Sequence, residues 1–207
     1  MDPSRQARAE RAWCLYDWAN SAFASTVMAA LFPPFFRELA QAAGMAPHAA
    51  TAAWGYVTAG ARLLLALSAP LLGAAADAGG RRKAFLAGFA GVGIAATALF
   101  ATLGEASWRT AAWLFVVANF GFGTSILFYE SLLPGLARGA AMDRLSARAY
   151  AVGYAGGGLL LVINLMWVLR PEWFGMPGTG FAVRASFVSV AVWWAAFTLP
   201  LLRHVPE

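Results

Sequence analysis

Thr51-Ala-Ala-Trp54-Gly-Tyr56-Val-Thr58-Ala-Gly60-Ala-Arg62-Leu-Leu-Leu-Ala-Leu-Ser68-Ala-Pro70-Leu-Leu-Gly73-Ala-Ala75 is an apolar run with one charge near its middle. A helix rises 1.5 Å per residue, so about 20 such residues cross the ~30 Å hydrocarbon layer of a bilayer. The stretch is long enough to span. Arg62 then sits about 11 residues from either end, where a charge costs at least about 2.5–3.5 kcal/mol. Working outward, five more stretches meet the same length. The six spans run over residues 13–36, 51–75, 84–103, 111–133, 149–169 and 182–202, with a segment 1–12 before them and a tail 203–207 after. The expected fold class is an all-α integral membrane protein, a six-transmembrane-helix bundle.

Composition points the same way. Of 207 residues, 60% are hydrophobic and 12% charged. That is half the roughly 25% charge of a soluble domain, so most of the surface must face lipid rather than water. The net charge of +5 does not mark a nucleic-acid binder, because the basic residues fall in short clusters between apolar runs, without interleaved aromatics. Cys14 is the single cysteine, and His48 and His204 lie far apart at expected loops, so neither a disulfide nor a metal site is expected. There is no Walker-type phosphate loop and no Ser nucleophile with a plausible base. That argues against an enzyme and against ATP-driven work, and no cofactor is expected. Arginine outnumbers lysine fourteen to one, a bias found in high-GC bacterial genomes.

Arg5, Arg8 and Arg11 precede the first apolar stretch, as they would in a signal peptide. Asp17 and Asn20 inside that stretch, and its full spanning length, make it a retained helix. The positive-inside bias then sets the topology. With the N-terminus in the cytoplasm, the inner side carries Arg5, Arg8, Arg11, Arg81, Arg82, Lys83, Arg138, Arg144, Arg148 and Arg203, against Arg37, Arg109, Arg170 and Arg184 outside. Both termini are expected on the cytoplasmic face of an inner membrane.

Polar residues inside a membrane usually face a bundle interior or a wet cavity. By helical spacing, Asp17, Asn20, Ser21 and Ala24 share a face of the first span, and Thr51, Thr58, Arg62, Ala69 and Gly73 a face of the second. Asn119, Gly123 and Glu130 align on the fourth, Gly153, Gly157 and Asn164 on the fifth. The third and sixth spans lack such a stripe and are expected to face lipid, the hydroxyls of Ser186, Ser189 and Thr198 bonding back to their own helix. Each stripe residue also has a plainer reading. Asp17 and Glu130 can be end charges at headgroup level, and Arg62 can snorkel. Asn119 and Asn164 can be interhelical hydrogen bonds worth about 0.6 kcal/mol, and Gly153 and Gly157 can serve close helix packing.

Between the second and third spans the chain reads Gly73-Ala-Ala-Ala-Asp77-Ala-Gly79-Gly80-Arg81-Arg82-Lys83. Gly73 is expected to permit close helix approach, Asp77 to reach Arg81 one turn on, and Gly80 to permit the tight turn. This resembles the loop signature of the major facilitator superfamily, Gly-x-x-x-Asp-x-x-Gly-Arg-Arg/Lys. Trp13-Cys-Leu-Tyr16-Asp17-Trp18-Ala-Asn20-Ser21-Ala-Phe23, Phe32-Pro33, Ala69-Pro70-Leu-Leu-Gly73, Phe128-Tyr129-Glu130-Ser131-Leu-Leu133-Pro134, Gly153-Tyr154-Ala-Gly156-Gly157 and Arg184-Ala-Ser186-Phe187 with Trp193-Trp194, Phe197 and Pro200 narrow it. From about Arg11 to Glu207 the chain looks like the N-terminal six-helix half of the vacuole-effluxer-like branch, related to the fungal vacuolar amino-acid exporter of autophagy. It departs from the family's pattern in two ways. The family has twelve helices, and its fourth-helix pattern has a small polar residue where Glu130 stands.

The resemblance implies a secondary transporter of small organic solutes, amino acids among them, working by alternating access between two halves and driven by an ion gradient. It implies that the first, second, fourth and fifth helices line the path. Asn20, Arg62, Asn119 and Asn164 are the candidate substrate-binding residues, with Arg62 suited to hold a carboxylate. Asp17 and Glu130 are candidates for proton coupling, carboxyl groups in spans being a recurrent element of proton relays. Gly73, Asp77, Gly80, Arg81 and Arg82 form the gating loop, Asp77 and Arg81 latching onto the opposite half. The expected partners are the lipid bilayer, the solute and a second six-helix half, whether missing, a separate chain or a second copy. A six-helix membrane scaffold without transport is the alternative.

Overall fold

Glycine and proline punctuate a chain otherwise built of good helix formers. In the computed structural model, which describes residues 2–207 apart from the side chains of 77–79, seven α-helices carry nearly everything: α1 (Pro3–Ala22), α2 (Phe32–Ala42), α3 (Pro47–Gly79), α4 (Arg82–Leu99), α5 (Trp108–Leu136), α6 (Ala140–Leu169) and α7 (Thr179–His204). Pro3 and Pro47 open their helices where a missing N–H costs nothing. Gly80, at φ +55°, makes the turn between α3 and α4, a backbone conformation that side chains with a Cβ resist. Short 3₁₀ turns, Phe100–Thr102 and Pro171–Phe174, close α4 and bridge α6 to α7.

Helices α1 and α2 are one rod, joined by a π-helical stretch, Phe23–Leu31. Pro33 and Pro34 lie in the first turn of α2 and explain the form. Neither donates an N–H, and in α geometry their rings would clash with the carbonyls of Ala29 and Ala30. The wider helix just before them relieves the crowding. The Phe32 N–H reaches back five residues to the Val27 carbonyl.

Among the described residues five helices are long and apolar enough to cross a membrane: Pro47–Ala76, Arg82–Thr102, Trp108–Leu136, Ala140–Leu169 and Thr179–His204. Each begins before the apolar stretch that announced it, because helical hydrogen bonding continues into the flanking residues. The α1–α2 rod is different. Asp17, Asn20, Ser21 and Ser25 and the change of helical form at Phe23 divide its apolar stretch.

Close approach depends on missing side chains. A Cβ on Gly121 of α5 would stand 2.6 Å from the Gly93 N and 2.7 Å from the Phe89 carbonyl of α4, so those two backbones touch. On α6, a Cβ on Gly157 would meet the Ser21 carbonyl of α1 at 2.7 Å, and the Trp18 ring covers Gly156. Two apolar cores result. One gathers around fully buried Phe32, whose ring lies 4.4 Å from Phe100 and 5.0 Å from Phe115. The other holds Trp13, Tyr16, Phe128 and Tyr129, with Trp13 stacked on Tyr129 at 4.3 Å.

The third and sixth spans (α4 and α7), expected to face lipid, each bury one side in the bundle and leave Val92, Leu99, Val192 and Leu199 exposed on the other. Trp194 of α7 is fully buried against Phe23, Phe122 and Gly93. Apolar residues suit core and lipid equally, so the absence of a polar stripe could not separate the two. Helix α3 is the opposite case, packing on α2 and α5 while Tyr56, Leu63, Leu67 and Leu71 stay exposed.

Both described chain ends lie at one end of the bundle. Gln6 Nε2 donates to the Leu136 carbonyl, Lys83 Nζ to the Val205 carbonyl at 2.6 Å, and the Lys83 N–H to Glu207 Oε1 at 2.9 Å. At the far end Arg184 Nη2 donates to the Leu103 carbonyl at 2.9 Å, tying α7 to the turn after α4.

Candidate functional site

Two recesses share the α1–α2 rod and α5, the larger completed by α6 and the smaller by α3. The larger, about 550 Å³, is lined by Asp17, Asn20 and Ser21 of α1, Ser25 of the π stretch, Phe122 and Ile126 of α5, and Tyr150, Gly153, Tyr154 and Gly157 of α6. Its floor exists because α6 has glycine there: a Cβ on Gly153 would lie 2.8 Å from both the Asp17 carboxyl carbon and Ser21 Oγ. Ser21 Oγ donates to Asp17 Oδ1 at 3.4 Å, and Ser25 Oγ lies 2.9 Å from the Ser21 carbonyl and 3.0 Å from that of Gly157. Asn20 is 2% exposed, and its amide nitrogen has no partner among the described residues. Such a buried donor is costly unless something accepts from it. Across from it the Tyr150 and Tyr154 rings meet edge to face at 4.9 Å, their hydroxyls 3.3 Å apart.

The smaller recess, about 240 Å³, is lined by Met28, Trp54, Thr58, Arg62, Phe115 and Asn119. Arg62 is its one charged lining group and forms no hydrogen bond or ion pair among the described residues. Buried Asn119 spends one amide donor on the Met28 sulfur at 3.6 Å, a weak acceptor. Thr58 is turned to its own helix, Oγ1 donating to the Trp54 carbonyl at 3.0 Å. The π stretch serves both recesses, offering Ser25 to one and Met28 to the other.

The sequence candidates therefore divide. Asp17 and Asn20 share the larger recess, and Arg62 and Asn119 the smaller. Asn164 lines neither: it is fully buried between α6 and α7, its Oδ1 accepting from Ser189 Oγ at 2.9 Å. Glu130 is exposed near the end of α5 that faces the chain ends, and also lines neither. In the loop, Gly80 makes the turn, Arg81 is exposed and Arg82 Nη1 donates to the Ser131 carbonyl at 3.0 Å. The Asp77 side chain lies outside the described residues. The close approach expected at Gly73 is not made to the described residues, nothing lying within 4 Å of a Cβ built there. The small residue that does admit a neighbour is Gly123, whose Cβ would collide with Leu65 of α3.

Sequence reasoning gave no site role to Tyr150, Tyr154, Ser25, Met28 or Trp54. Ser25 could have been found as the next i+4 step after Ser21. The tyrosines are a turn apart beside the Gly153–Gly157 stripe, but an aromatic pair in a span is more often lipid-facing.

Comparison with known proteins completes the description. The family model for vacuole effluxers like Atg22 matches residues 47–142 and 140–207. An uncharacterised MFS-type transporter of Bacillus subtilis (strain 168), YxiO, is 33% identical over 204 residues, covering 98% of this chain and 48% of the relative. The chain thus spans about half the length of the curated relative it matches. No solved structure matches significantly.

Proposed function

The chain belongs to the family of vacuole effluxers like Atg22, and from that premise we propose that it forms one half of a secondary transporter moving a small organic solute by alternating access. Membership places it among MFS-type transporters rather than enzymes, and its apolar helices make it a multi-pass membrane protein. In the proposal the α1–α2 rod supplies a sixth crossing and both chain ends face the cytoplasm, by the excess of Arg and Lys at that end. The membrane is the inner membrane of a bacterium. An ion gradient drives the movement, and the solute carries a carboxylate, amino acids being the first class to test.

One observation carries this reading. Both recesses are lined only by the α1–α2 rod, α3, α5 and α6, with nothing from α4 or α7. A bundle that keeps its polar groups on one side has its natural complement in a second bundle facing that side. The exposed apolar faces of α3 and α6, bearing Leu67, Leu71, Val162 and Leu169, leave room for one. Arg62 gives the solute's carboxylate a charge-assisted partner, Asn119 a neutral donor, and Asp17 a carboxyl group for coupling. The second half is a further part of the same polypeptide, a separate chain or a second copy.

Proteoliposomes carrying the chain, with and without a co-expressed second half, provide the test. Labelled amino acids should accumulate under an imposed proton gradient, and Arg62→Ala should cut the initial rate at least tenfold. Undiminished uptake by the Arg62→Ala protein would remove the assignment of Arg62.

A further inference from the structure

At the end of the bundle where both described chain ends lie, three segments far apart in sequence converge on a recess of about 440 Å³. Arg5 and Arg8 come from the first turns of α1, Lys83 from the start of α4, and Arg203 and His204 from the last turn of α7, with Val205 and Pro206 completing the wall. Among the described residues no acidic side chain lines it. Among the described residues Arg5, Arg8, Arg203 and His204 have no hydrogen bond or ion pair, whereas Lys83 is committed to the Val205 carbonyl at 2.6 Å. That bond, and the one from the Lys83 N–H to Glu207 Oε1, fold the segment after α7 against the start of α4 and shape the recess. Among the described residues Glu207 is a nearby opposing charge, its Oε1 engaged with the Lys83 backbone.

Basic residues at the end of a membrane helix have an ordinary explanation in topology, and the last turn of α7 favours cations through its helix dipole. Neither explains why cations from three elements surround one hollow with no carboxylate among its described lining residues. Packed together, like charges repel, and an anion in the hollow relieves this. The recess lies at the polar ends of α1, α4 and α7, the last two of which are long and apolar enough to cross a membrane.

We propose that this recess binds a phosphate-bearing anion at the membrane surface, the headgroup of an anionic phospholipid in the leaflet at that end. The shared chemistry is a phosphate ester held by arginine hydrogen bonds. The source is the lipid, because the wall is continuous with membrane-spanning helices.

Native mass spectrometry of the full chain from micelles doped with phosphatidylglycerol or phosphatidylcholine tests it. Phosphatidylglycerol should bind several-fold more tightly. The triple variant Arg5→Gln, Arg8→Gln, Arg203→Gln should lose about tenfold or more of that affinity, at roughly 1 kcal/mol for each basic residue near an anionic surface. Arg138→Gln, Arg144→Gln, Arg148→Gln removes equal charge at the same end and should change it less than about twofold. Equal losses in both variants, or no preference for the anionic lipid, overturn the site. Release of phosphatidylglycerol by millimolar inorganic phosphate transfers the site to a soluble anion and overturns the lipid assignment. A salt titration of the unmodified chain stands apart from any folding defect in the variants: binding should weaken as ionic strength rises, and a salt-independent preference counts against the proposal.

Discussion

At the scale of single residues, the site is made as much by what glycine omits as by what polar groups offer. Gly157 lets α6 lie on the Ser21 carbonyl, a backbone atom that cannot turn aside. Gly157→Ala should therefore cost about 1–3 kcal/mol through overpacking. Gly158→Ala, with open space around it, should leave the thermal unfolding midpoint in micelles unchanged or slightly raised. The two asparagines expected to act alike belong to different tasks. Asn164 Oδ1 accepts from Ser189 inside the bundle, while its amide nitrogen is unpaired among the described residues, and Asn119 holds only a sulfur at the edge of a recess. Asn164→Ala should lower stability by about 0.6 kcal/mol or more and leave the apparent KM for transport alone. Asn119→Ala should raise the KM. A KM shift confined to Asn164→Ala would reverse these roles.

At the scale of elements, the α1–α2 rod is the part whose form the sequence announced least. Its prolines were legible as helix punctuation, but they neither end nor sharply break the helix, because the π stretch absorbs them. If this rod crosses the bilayer, residues before and after it must lie on opposite faces. In a Cys14→Ser background, Ser4→Cys and Ala46→Cys should react with a membrane-impermeant maleimide from opposite sides of sealed vesicles. Labelling of both from one side would leave five crossings and end the six-helix proposal. Helices α4 and α7 show the converse limit of pattern reading. Their lack of polar stripes says that they avoid the two recesses of the candidate site, which they do, but not that one face of each is core.

For the whole molecule, burial is uneven in a way that bears on function. Trp194 is fully enclosed, whereas Leu67 is 68% exposed on a helix that meets few neighbours. Trp194→Ala should cost about 3–5 kcal/mol. Leu67→Ala should change stability by less than about 0.5 kcal/mol in the chain alone, yet weaken the pairing of this half with a second. Thermal unfolding in micelles, with and without that half, separates the two effects. An equally large cost for Leu67→Ala in the isolated chain would show that α3 is already packed there.

The amino-acid sequence by itself determined the helical class, the apolar lengths and which polar residues share a helix face. All three are local consequences of hydropathy and of 3.6 residues per turn. The family could be read too, from motifs such as Gly73 to Lys83. Only the tertiary structure decided what stands opposite each stripe: Ser189 before Asn164, glycine beneath Asp17, a separate recess for Arg62. A helical period sets the bearing of a side chain, but its neighbours depend on how the helices dock. Docking here turns on a few glycines and interlocking aromatic rings, whose apolar surfaces read the same whether they meet lipid or one another.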